Sequence, residues 1–198
     1  MPFDPKPVQL EGRFVRLEPL APSHAEGLLA AGSDPGIWTY MPVPPPVAVE
    51  EVRGWIEEAQ RGQLAGTELA FATVRRADGV VVGSTRYLDI RRPHRALEIG
   101  WTWLAPAAQR SVVNTEAKYL MLRHAFEKLG AVRVQLKTDE RNEKSRRAIL
   151  RLGAMFEGIL RNYQTRPHDG YVRNTAMYGI TDREWPDIKA RLEARLLR

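Results

Sequence analysis

A change of rhythm between Val132 and Gly153 restricts this chain more than any other feature. In "VRVQLKTD" the apolar Val132, Val134 and Leu136 alternate with polar and charged residues, the period of a strand. In "NEKSRRAILRLG" Ser145, Ala148, Ile149 and Leu152 fall on one helical stripe, with Asn142 placed to cap the start and Gly153 to end it. Upstream, Asn114 to Gly130 reads as another helix. Ala117, Met121, Ala125 and Leu129 share a stripe that Leu122 and Phe126 widen, so this helix is largely buried. A strand set between two such helices belongs to a sheet with helices packed on it.

The rest of the chain supplies the other strands. "GRFVRLEPL", from Gly12 to Leu20, is a strand, and "SHAEGLLAAGSD" a helix that Ser23 is placed to cap, with Glu26 three positions on. "IWTYMPVPPPV" is an ordered loop, and "AVEEVRGWIEEAQRGQ" a helix with Val49, Val52, Trp55, Ile56 and Ala59 at helical spacing. "ELAFATVRRADGVVVGSTRYLDIRR" reads as two strands turning at Ala77-Asp78-Gly79, and "RALEIGWTWLAP" as a strand ended by Pro106. "AMFEGILRNYQT" and "YVRNTAMYGIT" form a hairpin around "PHDG". "DREWPDIKARLEARLL" is a terminal helix, kinked or restarted at Pro186. The order β-α-α-β-β-β-α-β-α-β-β-α predicts one α/β domain over residues 1–198, a mixed sheet with helices on both faces.

Several functional classes are disfavoured. There is no long apolar run for a membrane span, and "MPFDPKPVQLEGRF" lacks a signal-peptide core. The chain has no cysteine, hence no disulfide, thiolate nucleophile or Cys-ligated zinc, and its four histidines lack ligand spacing. These readings predict a cytoplasmic, metal-free protein. The formal charge of +6 favours an anionic partner: nucleic acid, a phosphate-bearing cofactor or an acidic substrate.

From Glu98 to Arg161 the motifs "EIGW", "NTEAK", "RVQLKTDERNEKSRRAILRLGA" and "EGILR" occur in order, followed by "MYGI" and "EW". In this set the chain resembles the GNAT acyltransferases (GCN5-related N-acetyltransferases), in the branch typified by the ribosomal-protein N-acetyltransferases RimJ and RimL. The resemblance implies a mostly antiparallel GNAT sheet, acetyl-CoA as co-substrate, no metal, and a primary amine as acceptor. That amine belongs to a small molecule or a protein N-terminus, ribosomal proteins included. It also leaves a homodimer open. Two other classes stay open beside it: a catalytically silent acyl-CoA-binding or sensor module, and a basic RNA- or ribosome-associated protein.

The resemblance assigns roles to particular residues. The loop "QRSVVNTEA", Gln109 to Ala117, leads from strand into helix, where exposed amides and the helix dipole favour phosphate. It implies coenzyme A contacts at Trp103, Leu104, Gln109, Arg110, Ser111, Val112, Val113, Asn114 and Thr115, with Asn142 and Ser145 on the later helix. Val112 and Asn114 stand where the family has glycine and a small residue, and Val112 is expected to crowd the pyrophosphate. The alternative for this loop is an ordinary helix cap by Asn114. Ser145 matches the serine that faces the thioester sulfur in RimL-like enzymes; the alternative is a bond to a carbonyl of its own helix. Lys144, Arg146 and Arg147 read as a solvated face, one of them available to the nucleotide 3′-phosphate. Glu98 is the implied general base, acting through water, against a structural pairing with Arg86 or another cation. Trp38, Tyr40 and Arg86 border the implied acceptor site, with plain packing as the alternative for the two aromatics, as core packing is for Trp103. With no cysteine, direct transfer in a ternary complex follows.

Overall fold

A computed structural model describes residues 3–197. Among them, eight strands form one sheet: β1 (Leu10–Glu11), β2 (Val15–Pro19), β3 (Leu69–Arg75), β4 (Val81–Arg91), β5 (Ala96–Leu104), β6 (Arg133–Asp139), β7 (Met155–Thr165) and β8 (Val172–Thr181). The helices are α1 (Ala25–Ala31), α2 (Val49–Leu64), α3 (Val112–Arg123), α4 (Glu143–Leu152) and α5 (Trp185–Leu196). The sheet order is β1-β2-β3-β4-β5-β6-β8-β7, and only the β5–β6 pair is parallel. A parallel neighbour needs a crossover, and α3 supplies it.

Alternation along the strands feeds two cores. In β3, Leu69 and Phe71 point to one face, and Ala70, Ala72 and Val74 to the other. The first face joins Leu97, Ile99, Val134, Leu136, Tyr178 and Ile180 beneath α3 and α5. The second packs under α1 and α2 with Leu28, Trp38, Val52, Ile56 and Trp103. Helix α3 is buried over Glu116–Leu122, as its wide apolar stripe requires. Its Glu116 carboxylate takes the backbone amides of Arg13, Phe14 and Val15 at 2.6–2.8 Å, which ties the start of β2 to the helix.

Three expected helix boundaries move. Helix α3 begins at Val112 because Ser111, not Asn114, caps it: the Ser111 hydroxyl accepts from the Val113 amide at 3.2 Å and donates to the Ala108 carbonyl at 2.7 Å. Ser23 does not cap α1. It lies within a 3-10 turn over Pro22–His24, where the His24 ring accepts the Ala21 amide at 3.1 Å. Pro186 does not kink α5 but sits in its first turn, where the missing amide costs nothing. The two-residue β1 adds an edge strand, and α3 runs on into a π-helical turn over His124–Lys128. No helix among the described residues is long and apolar enough to cross a membrane.

Candidate active site

The sheet opens between β5 and β6. Strands β5 and β6 pair over Ala96↔Arg133, Leu97↔Val134 and Glu98↔Gln135, and then part. Beyond that point β5 stays paired with β4 out to Gly83↔Leu104, and β6 with β8 out to Asp139↔Thr175. The facing edges of β5 and β6 therefore leave backbone polar groups unpaired in a wedge, and such groups seek partners.

Strand β5 is bulged beside this wedge. Ser84 pairs with Trp103 and Arg86 with Gly100, so Trp101 and Thr102 together oppose Thr85. Trp101 has φ +50, a left-handed conformation that costs a non-glycine residue about 1–2 kcal/mol. The bulge is clamped from both faces. On one, Arg86 stacks 4.5 Å from the Trp101 ring centroid and pairs with Glu68 at 3.1 Å. On the other, the Lys118 ammonium of α3 donates to Thr85 Oγ1 at 2.9 Å and Thr102 Oγ1 at 2.5 Å, and the two hydroxyls lie 2.8 Å apart. Lys118 has no carboxylate partner among the described residues, and burial pulls its pKa down to about 7.

Glu98 sits at the apex of the wedge, 1% exposed. Its cross-strand neighbour in β4 is Leu88, and its cation is Lys137 of β6, not Arg86, which Glu68 occupies. Lys137 Nζ lies 3.0 Å from Glu98 Oε2, and Gln135 Nε2 donates to the same oxygen at 2.9 Å. Oε1 takes neither bond. Gly100 leaves room for it: a Cβ there would stand 2.8 Å from Oε1.

Two helix starts border the wedge. At α3, Gln109 Nε2 donates to the Leu104 carbonyl at 2.8 Å and its Oε1 accepts from Lys144 of α4, which joins the two helix starts. Arg110 is exposed with φ +58, and Asn114 and Thr115 are half-buried. Ser111 satisfies the Val113 amide, which leaves the Val112 and Asn114 amides of the first turn without a side-chain acceptor. The Val112 side chain is 40% exposed and lines a cavity of about 500 Å³ with Arg13, Phe14, Arg75 and Arg76. Leu104 and Val113 bury their side chains in the core, so only their backbones face outward. At α4, Asn142 Oδ1 accepts the Ser145 amide at 3.0 Å. The half-buried Ser145 hydroxyl has no partner among the described residues, so the helix-carbonyl alternative is not realised. Arg146 is not on a solvated face. It donates to the Tyr178 hydroxyl at 3.1 Å and the Glu140 carbonyl at 3.0 Å, while Arg147 pairs with Glu143 on the surface.

The loop from α1 to α2 closes the far side. Tyr40 donates to the Arg141 carbonyl at 3.3 Å, and Arg166 of the turn after β7 donates to the Thr39 carbonyl at 2.7 Å. Trp38 is 3% exposed: its indole bonds the Gly32 carbonyl and its ring packs against Trp55 and Trp103. Trp38 and Trp103 are thus core side chains and present no ring to a groove. Sequence reasoning passed over Lys118, Lys137 and Arg173. Lys118 had a readable signal, since it sits four residues before Leu122 on the buried stripe.

Comparison with known proteins agrees with this architecture. The acetyltransferase (GNAT) domain family matches residues 15–155. A GCN5-related N-acetyltransferase from Brucella melitensis has a crystal structure that superposes with a TM-score of 0.90 at 33% identity, over 96% of this chain and 86% of that one. The Bacillus subtilis protein named "Uncharacterized N-acetyltransferase YoaA" is 25% identical over 86% of this chain and 95% of its own length. The B. subtilis "Putative ribosomal N-acetyltransferase YdaF" is 31% identical over 57% of this chain and 60% of its own. The chain belongs to the GNAT acetyltransferase family. It is an acetyl-CoA-dependent acetyltransferase.

Proposed function

We propose that the protein transfers the acetyl group of acetyl-CoA directly to a primary amine, with the co-substrate held in the wedge between β5 and β6. The observation that carries this reading is the early parting of those strands beside a strained bulge. The residues present suit an acyl-CoA: unpaired backbone along the wedge for an extended amide chain, and a helix start with free amides and the exposed Arg110 for phosphates. The thioester bound there supplies an activated acetyl group.

The protein's own groups then divide the work. Glu98, with Oε1 free of other bonds, removes the proton of the ammonium through water, because only a neutral nitrogen can attack. A backbone amide at the Trp101 bulge meets the charge that develops on the carbonyl oxygen, a contribution of roughly 3 kcal/mol to the barrier in comparable sites. The Ser145 hydroxyl, unpartnered among the described residues, donates to the departing sulfur. Lys118 and Arg86 hold the bulge in place. The acceptor is a small amine or a protein N-terminus; the partial similarity to YdaF supports a ribosomal protein among the candidates.

The test is a panel of acyl-CoA donors and amines, read by thiol release and by mass of the product. Acetyl transfer to at least one amine is expected. Tight acetyl-CoA binding with no transfer to any amine would leave a silent acyl-CoA-binding module instead. Strongly salt-dependent affinity for RNA without turnover would point to the nucleic-acid reading.

A further inference from the structure

We propose that Arg173 receives a carboxylate of the acceptor, so that the preferred substrates are amines carrying a carboxylate a few bonds from the nitrogen, such as free amino acids. This inference rests on the acetyl-transfer reading above.

Arg173 lies in β8 and is 8% exposed. None of its nitrogens donates to a protein group among the described residues, and its Nε is buried without a partner. Other arginines differ: the Nε of buried Arg86 also lacks a partner, but its Nη1 pairs with Glu68, and Arg166 has Asp169 and the Thr39 carbonyl. Alternation in β8 puts Arg173, Thr175 and Met177 on one face. The rungs Asp139↔Thr175, Lys137↔Met177 and Glu98↔Gln135 make that the face of Glu98, Gln135 and Lys137. The Thr175 hydroxyl on this face is also buried without a partner.

Two carboxylates are close enough to influence Arg173, but both are engaged. Asp139 accepts the Arg141 amide at 2.9 Å and pairs with its guanidinium at 3.3 Å. Glu98 is held by Lys137 and Gln135. Burial accordingly pulls the Arg173 guanidinium below its ordinary value, against the opposing influence of Asp139 and Glu98. A buried cation left without a hydrogen-bonded partner is costly to the fold. Here it stands on the same face as the candidate base, at the end of the hairpin that the α1–α2 loop covers. A guanidinium fork takes a carboxylate through two parallel bonds. The guanidinium offers one positive charge, which matches a carboxylate monoanion, while the nearby Asp139 and Glu98 carboxylates disfavour the second charge of a phosphate dianion.

The experiment uses matched pairs of amino acids and their amides. Calorimetry measures binding to the protein saturated with coenzyme A, and single-turnover assays with acetyl-CoA measure transfer. The wild type should bind the amino acids about 10- to 100-fold more tightly than their amides. Arg173→Gln should level the two, Arg173→Lys should recover part of the difference, and the melting temperature of Arg173→Gln should stay level or rise. The proposal is overturned if the amides bind as well as the acids, if no amino acid binds, if Arg173→Gln keeps the preference, or if it melts several degrees lower. The readings fail separately. Preferential binding of amino acids without transfer sinks the acetyl-transfer reading and leaves the carboxylate site. Transfer to neutral amines alone does the reverse.

Discussion

Replacing Lys118 by Met tests the bulge clamp and fixes the sign of a pH effect. The ammonium is buried, its acceptors are two hydroxyls, and no carboxylate among the described residues balances it. Its ordinary value of 10.5 falls to about 7 on folding, and at 1.36 kcal/mol per unit this amounts to roughly 5 kcal/mol. The hydroxyl acceptors favour the charged form and make that figure a ceiling. Below about pH 7 the lysine is protonated both folded and unfolded, and the native state bears the whole cost. Between about 7 and 10.5 the unfolded chain holds the extra proton, so wild-type stability climbs with pH; above that it levels off. Methionine of similar length carries no charge, and Thr85 and Thr102 still bond one another. Lys118→Met should therefore be more stable than wild type near pH 6, by about 1–3 kcal/mol or roughly 2–10 °C in melting temperature. The difference should shrink towards about pH 10. Thermal unfolding of both proteins over that range is the assay. A gap that does not change with pH, or a variant less stable than wild type near pH 6, would refute the reasoning. Turnover should fall in the same variant, because the bulge has lost one of its two clamps.

Three further substitutions separate chemistry from packing. Glu98→Gln keeps the bond from Gln135 within reach and removes the proton acceptor. Turnover should drop about 100-fold at neutral pH and less at high pH, where the amine is already neutral; a variant of wild-type rate throughout would return Glu98 to a structural pair with Lys137. Ser145→Ala removes a hydroxyl with no protein partner and leaves the Asn142 cap, which uses the backbone amide. Acetyl-CoA affinity and melting temperature should hold while single-turnover rate falls roughly 100-fold, and an unchanged rate in saturated enzyme would end its catalytic role. Gly153→Ala tests the end of α4: φ is +106, and a Cβ would meet Arg191 Nη2 at 2.6 Å and Ile188 Cγ1 at 3.0 Å. Its melting temperature should fall by roughly 3–10 °C, about 1–3 kcal/mol, with kinetic constants preserved.

The elements were legible where one local period dominates. Strand β6, helix α4 and the β7–β8 hairpin follow from alternation, a single apolar stripe and Gly153. Boundaries failed where two residues of similar chemistry compete. Ser111 and Asn114 can both cap a helix, and the choice falls to Ser111 because the Ala108 carbonyl lies within reach of its hydroxyl. Ser23 lost its cap to His24 because Pro22 opens a 3-10 turn. Of the candidate site, the strand and helix positions of the residues were legible in the sequence and their pairings were not. Glu98 could be named from its strand, but Lys137 as its partner depends on which strand lies on the other side. Arg146 looked solvated until β8 brought Tyr178 beneath it.

What remained hidden follows a pattern. Trp101 adopts a left-handed backbone without being glycine, and among the described residues Lys118 has no carboxylate and the Arg173 side chain no hydrogen-bond partner, though both are buried. Each departs from a rule that other buried groups follow: the buried Tyr87 hydroxyl reaches the Met121 carbonyl, and the buried Glu116 carboxylate takes three amides. Two of the departures meet at the bulge, and the third shares the sheet face of Glu98. Stability alone selects against all three, since each has a simple cheaper replacement: glycine at 101, methionine at 118, glutamine at 173. Sequence rules describe what stabilises a fold, so residues retained against them escape such rules. The proposed site at the parting of β5 and β6 draws support from these departures independently of any motif. The same logic orders the tests: the Lys118 and Arg173 substitutions should gain or hold stability while losing function, whereas Gly153→Ala should do the opposite.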